Sequence, residues 1–236
     1  MRDIPYEEQT IRSANPLARY AHRERLAKGL QLANLFSGHA SVVIDFGTGQ
    51  GEFLHRLGQM RPDVSLIGYE PYMSPIYPEV RYVESMQSVC DASVDVFTAF
   101  EVCEHLHAQE LSQLMADAQR VMKPDGTFII SVPIMYGAAV VPKVLNWMIR
   151  HRKWQTEYTL FEVLKSAVGF KVARPSNPRV THKGFDFREL ISEVGQWFEI
   201  RQIEFSPVAL LPWWLSSQCF LMCRQPAKAG LRKSTM

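Results

Sequence analysis

The sequence predicts a single α/β domain built on a mostly parallel sheet with helices on both faces. Three observations carry this prediction. Short β-rich apolar runs alternate with segments of helical periodicity between about residues 16 and 132, the order that parallel strands with right-handed crossovers require. A glycine-rich loop, Gly47-Thr-Gly-Gln-Gly51, separates the first of these runs from the helix that follows. Near the C-terminus two strands follow one another with no helix between them, which reads as an antiparallel hairpin at one edge.

The elements follow in order. Residues 1–15 are polar and read as irregular. From Pro16 to Phe36, the residues Leu17, Tyr20, Ala21, Leu26, Leu30, Leu32, Ala33 and Leu35 approximate a helical stripe, which Ser37-Gly-His39 ends. Ser41 to Phe46 is the first strand, apolar enough to be buried on both faces. Glu52 to Met60 is a helix stopped by Arg61-Pro-Asp63. Val64 to Tyr69, Val80 to Val83 and Val94 to Phe100 are the next three strands. A helix from Ala108 to Met122 carries Leu111, Leu114, Met115, Ala118 and Val121 on one face. Lys123-Pro-Asp-Gly126 reads as a turn before a fifth strand, Thr127 to Val132. The stretch from about 134 to 181 is too long for a simple connection and reads as a helical insert capping the sheet. Phe187 to Val194 is a helix, and Phe198 to Phe205 and Ser217 to Arg224 are the hairpin strands. The domain spans 1–225, and 226–236 is a flexible basic tail.

A chain of 236 residues, 47% apolar and 21% charged, can bury a full core without disulfides or structural metal. A net charge of +2 supplies no field to recruit nucleic acid, and no nucleic-acid partner is expected. Cys90, Cys103, Cys219 and Cys223 form no Cys-x-x-Cys pair and read as buried free thiols. The N-terminus lacks a signal-type apolar core, and no apolar run reaches the roughly 18 residues that span a bilayer. The cytoplasm is the expected compartment.

The chemistry begins at the glycine loop. Glycines there allow a tight turn and a close approach of ligand to backbone, and the helix after them presents free amides. Glu70 ends the second strand nineteen positions after Gly51, where a carboxylate can accept hydrogen bonds from a ribose diol. The spacing is Gly-x-Gly-x-Gly rather than the Gly-x-Gly-x-x-Gly of nicotinamide enzymes. Asp45 lies inside a buried strand, a costly place for a carboxylate without a task.

Val43-Ile-Asp-Phe-Gly-Thr-Gly-Gln-Gly51, Val94 to Leu106 and Arg120 to Pro133 together resemble motifs of the class I S-adenosylmethionine-dependent methyltransferases, in particular the type 11 and type 23-like small-molecule enzymes. The resemblance covers residues 40–135 closely and 181–224 more loosely. It implies a three-layer sandwich around a seven-stranded Rossmann-like sheet whose last strand is antiparallel. It also implies S-adenosylmethionine as methyl donor and S-adenosylhomocysteine as product. By the same resemblance, Asp45 orients the loop and the amino-acid end of the cofactor, which Gly47, Thr48, Gly49 and Gly51 cradle. Glu70 holds the ribose with Pro71 beside it, and Ser85 and Met86 flank the adenine. Phe100 and Glu101 lie near the sulfonium. Many relatives carry an aspartate where this chain has Glu84-Ser-Met-Gln.

The sulfonium is itself a reactive electrophile, so the protein must chiefly align a nucleophile, and a hydroxyl nucleophile gains from a base. His105, His182 and Glu101 are the catalytic candidates. The competing readings are a structural His105 and a surface His182. Glu101, Glu104 and His105 could also hold a divalent ion, but their spacing is not diagnostic, and no metal is expected.

Val140 to Trp154 mixes apolar residues with Lys143, Arg150, Arg152 and Lys153. It reads either as a cap helix with its charges in water or as a peripheral contact with the anionic inner membrane surface. Val208 to Leu215, with Trp213 and Trp214, is either packing or an exposed patch. These segments favour a small-molecule, glycan or lipid-linked acceptor, methylated on oxygen. The alternatives are a non-catalytic cofactor-binding scaffold, a nicotinamide oxidoreductase, and a protein or nucleic-acid methyltransferase. No Asn/Asp-Pro-Pro-Tyr/Phe amine-methylation motif stands at the fourth strand.

Overall fold

A computed structural model describes residues 16–151, 157–207 and 212–226. The expectations for residues 1–15, for Arg152, Lys153 and Trp154, for 208–211 and for the tail from 227 lie outside the described residues.

The elements are α1 (Pro16–Phe36), β1 (Val42–Phe46), α2 (Glu52–Met60), β2 (Ser65–Tyr69), β3 (Arg81–Val83), β4 (Val94–Phe100), α3 (Ala108–Val121), β5 (Met122–Pro133), α4 (Val140–His151), α5 (Leu160–Ala167), α6 (Phe187–Trp197), β6 (Glu199–Ser206) and β7 (Gln218–Arg224). The strands form one seven-stranded sheet in the order β3-β2-β1-β4-β5-β7-β6. Its first five strands are parallel neighbours, and β7 runs antiparallel to both β5 and β6. The order reverses at β1, where α/β sheets open a crevice beyond the strand C-termini.

Both faces of the sheet are covered, so successive residues of a strand enter different cores. Val43, Val96, Ile129, Phe220 and Met222 face a core closed by Leu30, Leu32 and Ala33 of α1 and by Phe53, Leu54 and Leu57 of α2. Ile44, Phe97, Phe128, Ile130 and Leu221 face the other, closed by Leu114, Met115 and Ala118 of α3 and by Leu190 and Val194 of α6. This alternation produces the three layers.

Several expectations need correction. β5 does not begin after a turn at Lys123–Gly126. Val94 pairs with Met122 and Val96 with Thr127, so residues 123–126 bulge out opposite Asp95. Lys123 Nζ holds both Asp95 carboxylate oxygens, at 2.7 and 2.8 Å, across that bulge. Tyr20 and Leu35 of α1 are exposed rather than part of its buried stripe. Cys90 is exposed, while Cys103, Cys219 and Cys223 are buried, and all four are free.

The insert contains the expected helix α4 and an unexpected second one, α5, started by a capping box between Thr159 and Glu162. Lys143 is not a solvated cap charge. Its ammonium turns inward and donates to the carbonyls of Ile134 and Ser217 at 2.8 Å each, tying α4 to the ends of β5 and β7. Burial lowers its pKa to about 8. The adjacent tryptophans divide their roles: Trp213 packs on Phe187 with 5.7 Å between ring centroids, and Trp214 is exposed.

Candidate functional site

The glycine loop leaves the C-terminal end of β1 at the switch in strand order. Gly47 has φ 74° and Gly51 φ 96°, a region where a side chain is strained. A Cβ on Gly47 would lie 2.4 Å from Val102 Cγ2, so the loop packs directly on the segment that follows β4. The Gly47 and Thr48 amides donate to the Tyr69 carbonyl at 2.8 and 3.2 Å.

Asp45 is only 3% exposed and accepts a 2.6 Å hydrogen bond from Thr98 Oγ1 on the neighbouring strand. Burial raises its pKa to about 7, against the opposing pull of that bond. Glu70 accepts from the Gly49 amide at 2.9 Å and from the Tyr72 amide at 2.8 Å. The carboxylate at the tip of β2 is therefore held against the loop.

The other cofactor candidates are placed less uniformly. Pro71 is exposed beside Glu70. Ser85 caps a short 3₁₀ turn by accepting from the Gln87 amide at 3.2 Å. Met86 is buried in the core, and its carbonyl accepts from Arg120 at 2.6 Å. The Phe100 ring packs edge-on against Phe53, with 4.8 Å between centroids, and fills the space beside Gly29. Its ring belongs to the core beneath α1, and only its position at the end of β4 is shared with the loop.

Beyond β4 the chain turns sharply. Glu101 adopts φ 56°, strained for a side-chain-bearing residue and of the kind concentrated at functional sites. Its amide donates to the Ser131 carbonyl at 2.9 Å, and its carboxylate accepts from Arg25 of α1 at 3.0 Å. Arg25 also meets His22 Nδ1 at 2.7 Å. Burial, then Arg25 and Arg56, lower the His22 pKa to about 4.

A 3₁₀ turn, Cys103–His105, follows. Glu104 is fully buried, and neither carboxylate oxygen has a hydrogen-bond partner among the described residues. Burial and the nearby Glu101 raise its pKa well above the usual carboxylate range. His105 Nε2 and His182 Nε2 face each other at 3.0 Å, each 3.9 Å from Glu104 Oε1. His105 Nδ1 lies 3.4 Å from the Pro178 carbonyl. Burial lowers both imidazole pKa values, that of His182 to about 3 with help from His105 and Lys143. The fold thus brings His105 and His182 together from positions 77 apart, with Glu104 rather than Glu101 as their nearest carboxylate.

A family model for the methyltransferase domain matches residues 17–174. The chain belongs to that family. It is an S-adenosylmethionine-dependent methyltransferase on a Rossmann-like fold, which sets aside the nicotinamide alternative. No curated protein matches the methyltransferase in sequence. Among solved structures it is similar to the PH0226 protein from Pyrococcus horikoshii, at 14% identity and TM-score 0.55, covering 94% of this chain and 96% of that one. It is also similar to the Burkholderia thailandensis 1,6-didemethyltoxoflavin-N1-methyltransferase, crystallised with S-adenosylhomocysteine, at 15% identity and TM-score 0.54 over 86% and 79% of the two chains. A third is the geranyl diphosphate C-methyltransferase of Streptomyces coelicolor, at 11% identity and TM-score 0.51 over 87% and 82%. At these identities the similarity is one of fold.

The methyltransferase's own residues fit a bound cofactor. Thr48 Oγ1, Tyr82 Oη and His22 Nε2 are buried without hydrogen-bond partners among the described residues, and Tyr82 lies against Gly51. Buried polar atoms in this state are costly unless a ligand or water satisfies them. A groove of about 750 Å³ lined by Val42, Ser65 and Arg81 lies at the opposite, N-terminal ends of the strands.

Sequence reading missed Arg25, Lys143, Thr98 and Arg174, which donates to the Glu104 carbonyl. Arg25 and Lys143 were visible only as cations within helical patterns. Nothing local marks their distant partners, Glu101 and Ser217, which are 76 and 74 residues away.

Proposed function

We propose that the protein transfers the methyl group of S-adenosylmethionine to an oxygen of a small-molecule, glycan or lipid-linked acceptor. The observation that carries this reading is the packing of the glycine loop on Val102, three residues before the His105–His182 pair. Cofactor cradle and candidate base are thereby neighbours.

The bound cofactor supplies an electrophilic methyl group. In this reading Glu70 receives the ribose hydroxyls, Asp45 and Thr48 hold the loop and the amino-acid end, and Gly47, Gly49 and Gly51 let the ligand reach the backbone. Pro71, Ser85 and Met86 border the adenine side. Glu101, clamped by Arg25, shapes the floor beside the methyl group. A neutral imidazole of the His105–His182 pair offers a lone pair for a hydroxyl proton.

The acceptor class is read from the cap. Leu160, Phe161, Leu164, Val168 and Phe170 are exposed on and just after α5, as are Val141 and Leu145 on α4. Exposed apolar side chains gathered on these helices suit an apolar ligand or a membrane. Among the described residues no helix is long and apolar enough to cross a bilayer. The reading is therefore peripheral contact with the cytoplasmic face of the inner membrane, where an amphiphilic acceptor resides.

The test is transfer of a labelled methyl group to hydroxyl acceptors, water-soluble and lipid-linked, by the wild type and by His182→Ala. Methylation of a lipid-linked hydroxyl that falls about 100-fold or more in the variant supports the reading. Turnover confined to amines would overturn the oxygen assignment, and absence of turnover with bound cofactor would favour a scaffold.

A further inference from the structure

We infer that Glu104, His105 and His182 form a divalent-cation site selective for a first-row transition metal such as Zn²⁺ or Mn²⁺. One donor atom from each of the three residues falls within a 4.8 Å group. The separations are 3.0 Å between the two Nε2 atoms and 3.9 Å from each to Glu104 Oε1. The circle through a triangle with sides of 3.0, 3.9 and 3.9 Å has a radius of about 2.1 Å, which is the bond length of Zn²⁺ to imidazole nitrogen and carboxylate oxygen. An ion at its centre lies at bonding distance from all three donors.

A second, independent observation points to the same occupant. Glu104 is fully buried, and both carboxylate oxygens lack any hydrogen-bond partner among the described residues. Buried carboxylates are ordinarily paired or bound to metal. The neighbouring cations are committed elsewhere: Arg25 to Glu101, and Lys143 to two carbonyls. Arg174 reaches the Glu104 carbonyl rather than its side chain.

The tautomer also fits. A carbonyl oxygen only accepts, so in the 3.4 Å contact with Pro178 it is His105 Nδ1 that carries the hydrogen. His105 Nε2 then carries the lone pair, the usual arrangement for a ligating histidine held by a backbone carbonyl, and accepts the His182 Nε2 hydrogen that an ion would displace. Two nitrogens and one oxygen suit Zn²⁺, Fe²⁺ or Mn²⁺, whereas Mg²⁺ and Ca²⁺ prefer all-oxygen sites. The site goes beyond the proposed methyl transfer. With an ion bound, both imidazole lone pairs would be occupied, so the ion would replace the histidine base of the proposed reaction.

The experiment uses chelator-treated full-length protein titrated calorimetrically with Zn²⁺, Mn²⁺, Mg²⁺ and Ca²⁺ salts alone. S-adenosylmethionine is titrated in parallel, so that failure of the cofactor reading registers separately. The expected result is one Zn²⁺ or Mn²⁺ per chain, with affinity about tenfold weaker or worse in His182→Ala and Glu104→Gln, both of which still bind cofactor. Should either variant fail to fold, the visible d–d spectrum of wild-type protein loaded with Co²⁺ reports nitrogen–oxygen ligation directly. Absence of stoichiometric binding, undiminished binding in both variants, or Mg²⁺ binding as tightly as Zn²⁺ would overturn the assignment.

Discussion

Arg25 in the first helix donates to the Glu101 carboxylate at 3.0 Å, joining residues 76 apart in sequence. The pair is mostly shielded from solvent, with side-chain exposures of 20% and 16%. It holds the N-terminal helix over a backbone turn that is itself strained at φ 56°. Arg25→Met leaves that carboxylate without its cation. The expected cost is about 1.5–3 kcal/mol of stability, read by denaturant unfolding. If Glu101 borders the methyl group as proposed, the methyl-transfer rate should fall about tenfold.

Gly47 is required for two separable reasons, its φ of 74° and the 2.4 Å approach of its missing Cβ to Val102. Gly47→Ala should destabilise the protein by roughly 2–4 kcal/mol in total, combining backbone strain and overpacking. Val102→Ala in the same chain should recover the steric part and leave the backbone part of about 1–2 kcal/mol. Thermal unfolding of the two single variants and the double variant measures the split.

Asp45 gives the unliganded protein a defined pH dependence. Its folded pKa of about 7 lies above the ordinary value of 3.8, so between those limits the folded state keeps a proton that the unfolded chain has released. Stability therefore falls as pH rises from about 4 to 7. Asp45→Asn carries no such proton. The stability of the variant relative to wild type should climb from pH 5 to 7 and level off above it, as read from melting temperatures in the absence of cofactor. A constant difference across that range would mean that Asp45 is ionised throughout.

The exposed apolar face of the cap can be tested apart from the chemistry. Phe161→Asp with Leu164→Asp should abolish co-sedimentation with anionic vesicles while leaving cofactor affinity within about twofold, since both side chains are largely in water, at 74% and 60% exposure. Their loss costs no packed contact comparable to a core substitution.

Much of the frame was legible because the sheet is buried on both sides. Val43-Ile44 and Phe128-Ile-Ile130 are continuous apolar runs, and such runs between helical periods can hardly be anything but central strands. The glycine loop and Glu70 were legible for a different reason: left-handed turns and a strand-tip carboxylate are local requirements. What stayed hidden was non-local. The bulge at 123–126 depends on Asp95 across the sheet, and a local turn signal cannot distinguish a bulge from a strand end. The inward turn of Lys143 depends on carbonyls of the residue just after β5 and of the residue just before β7. Glu104 looked like one of two interchangeable carboxylates until the 3₁₀ turn sent it inward and left Glu101 for Arg25. His105 and His182 were candidates by residue type, and only the returning insert places their Nε2 atoms at 3.0 Å.

The central claim is that the cofactor binds at the glycine loop between Asp45 and Glu70. Calorimetric titration with S-adenosylmethionine and S-adenosylhomocysteine tests it most directly. The account predicts micromolar binding of both by the wild type, weakened roughly tenfold to a hundredfold by Glu70→Ala through loss of charged hydrogen bonds to the ribose, and weakened also by Asp45→Ala. Absence of binding to the wild type, or binding indifferent to both substitutions, would contradict it.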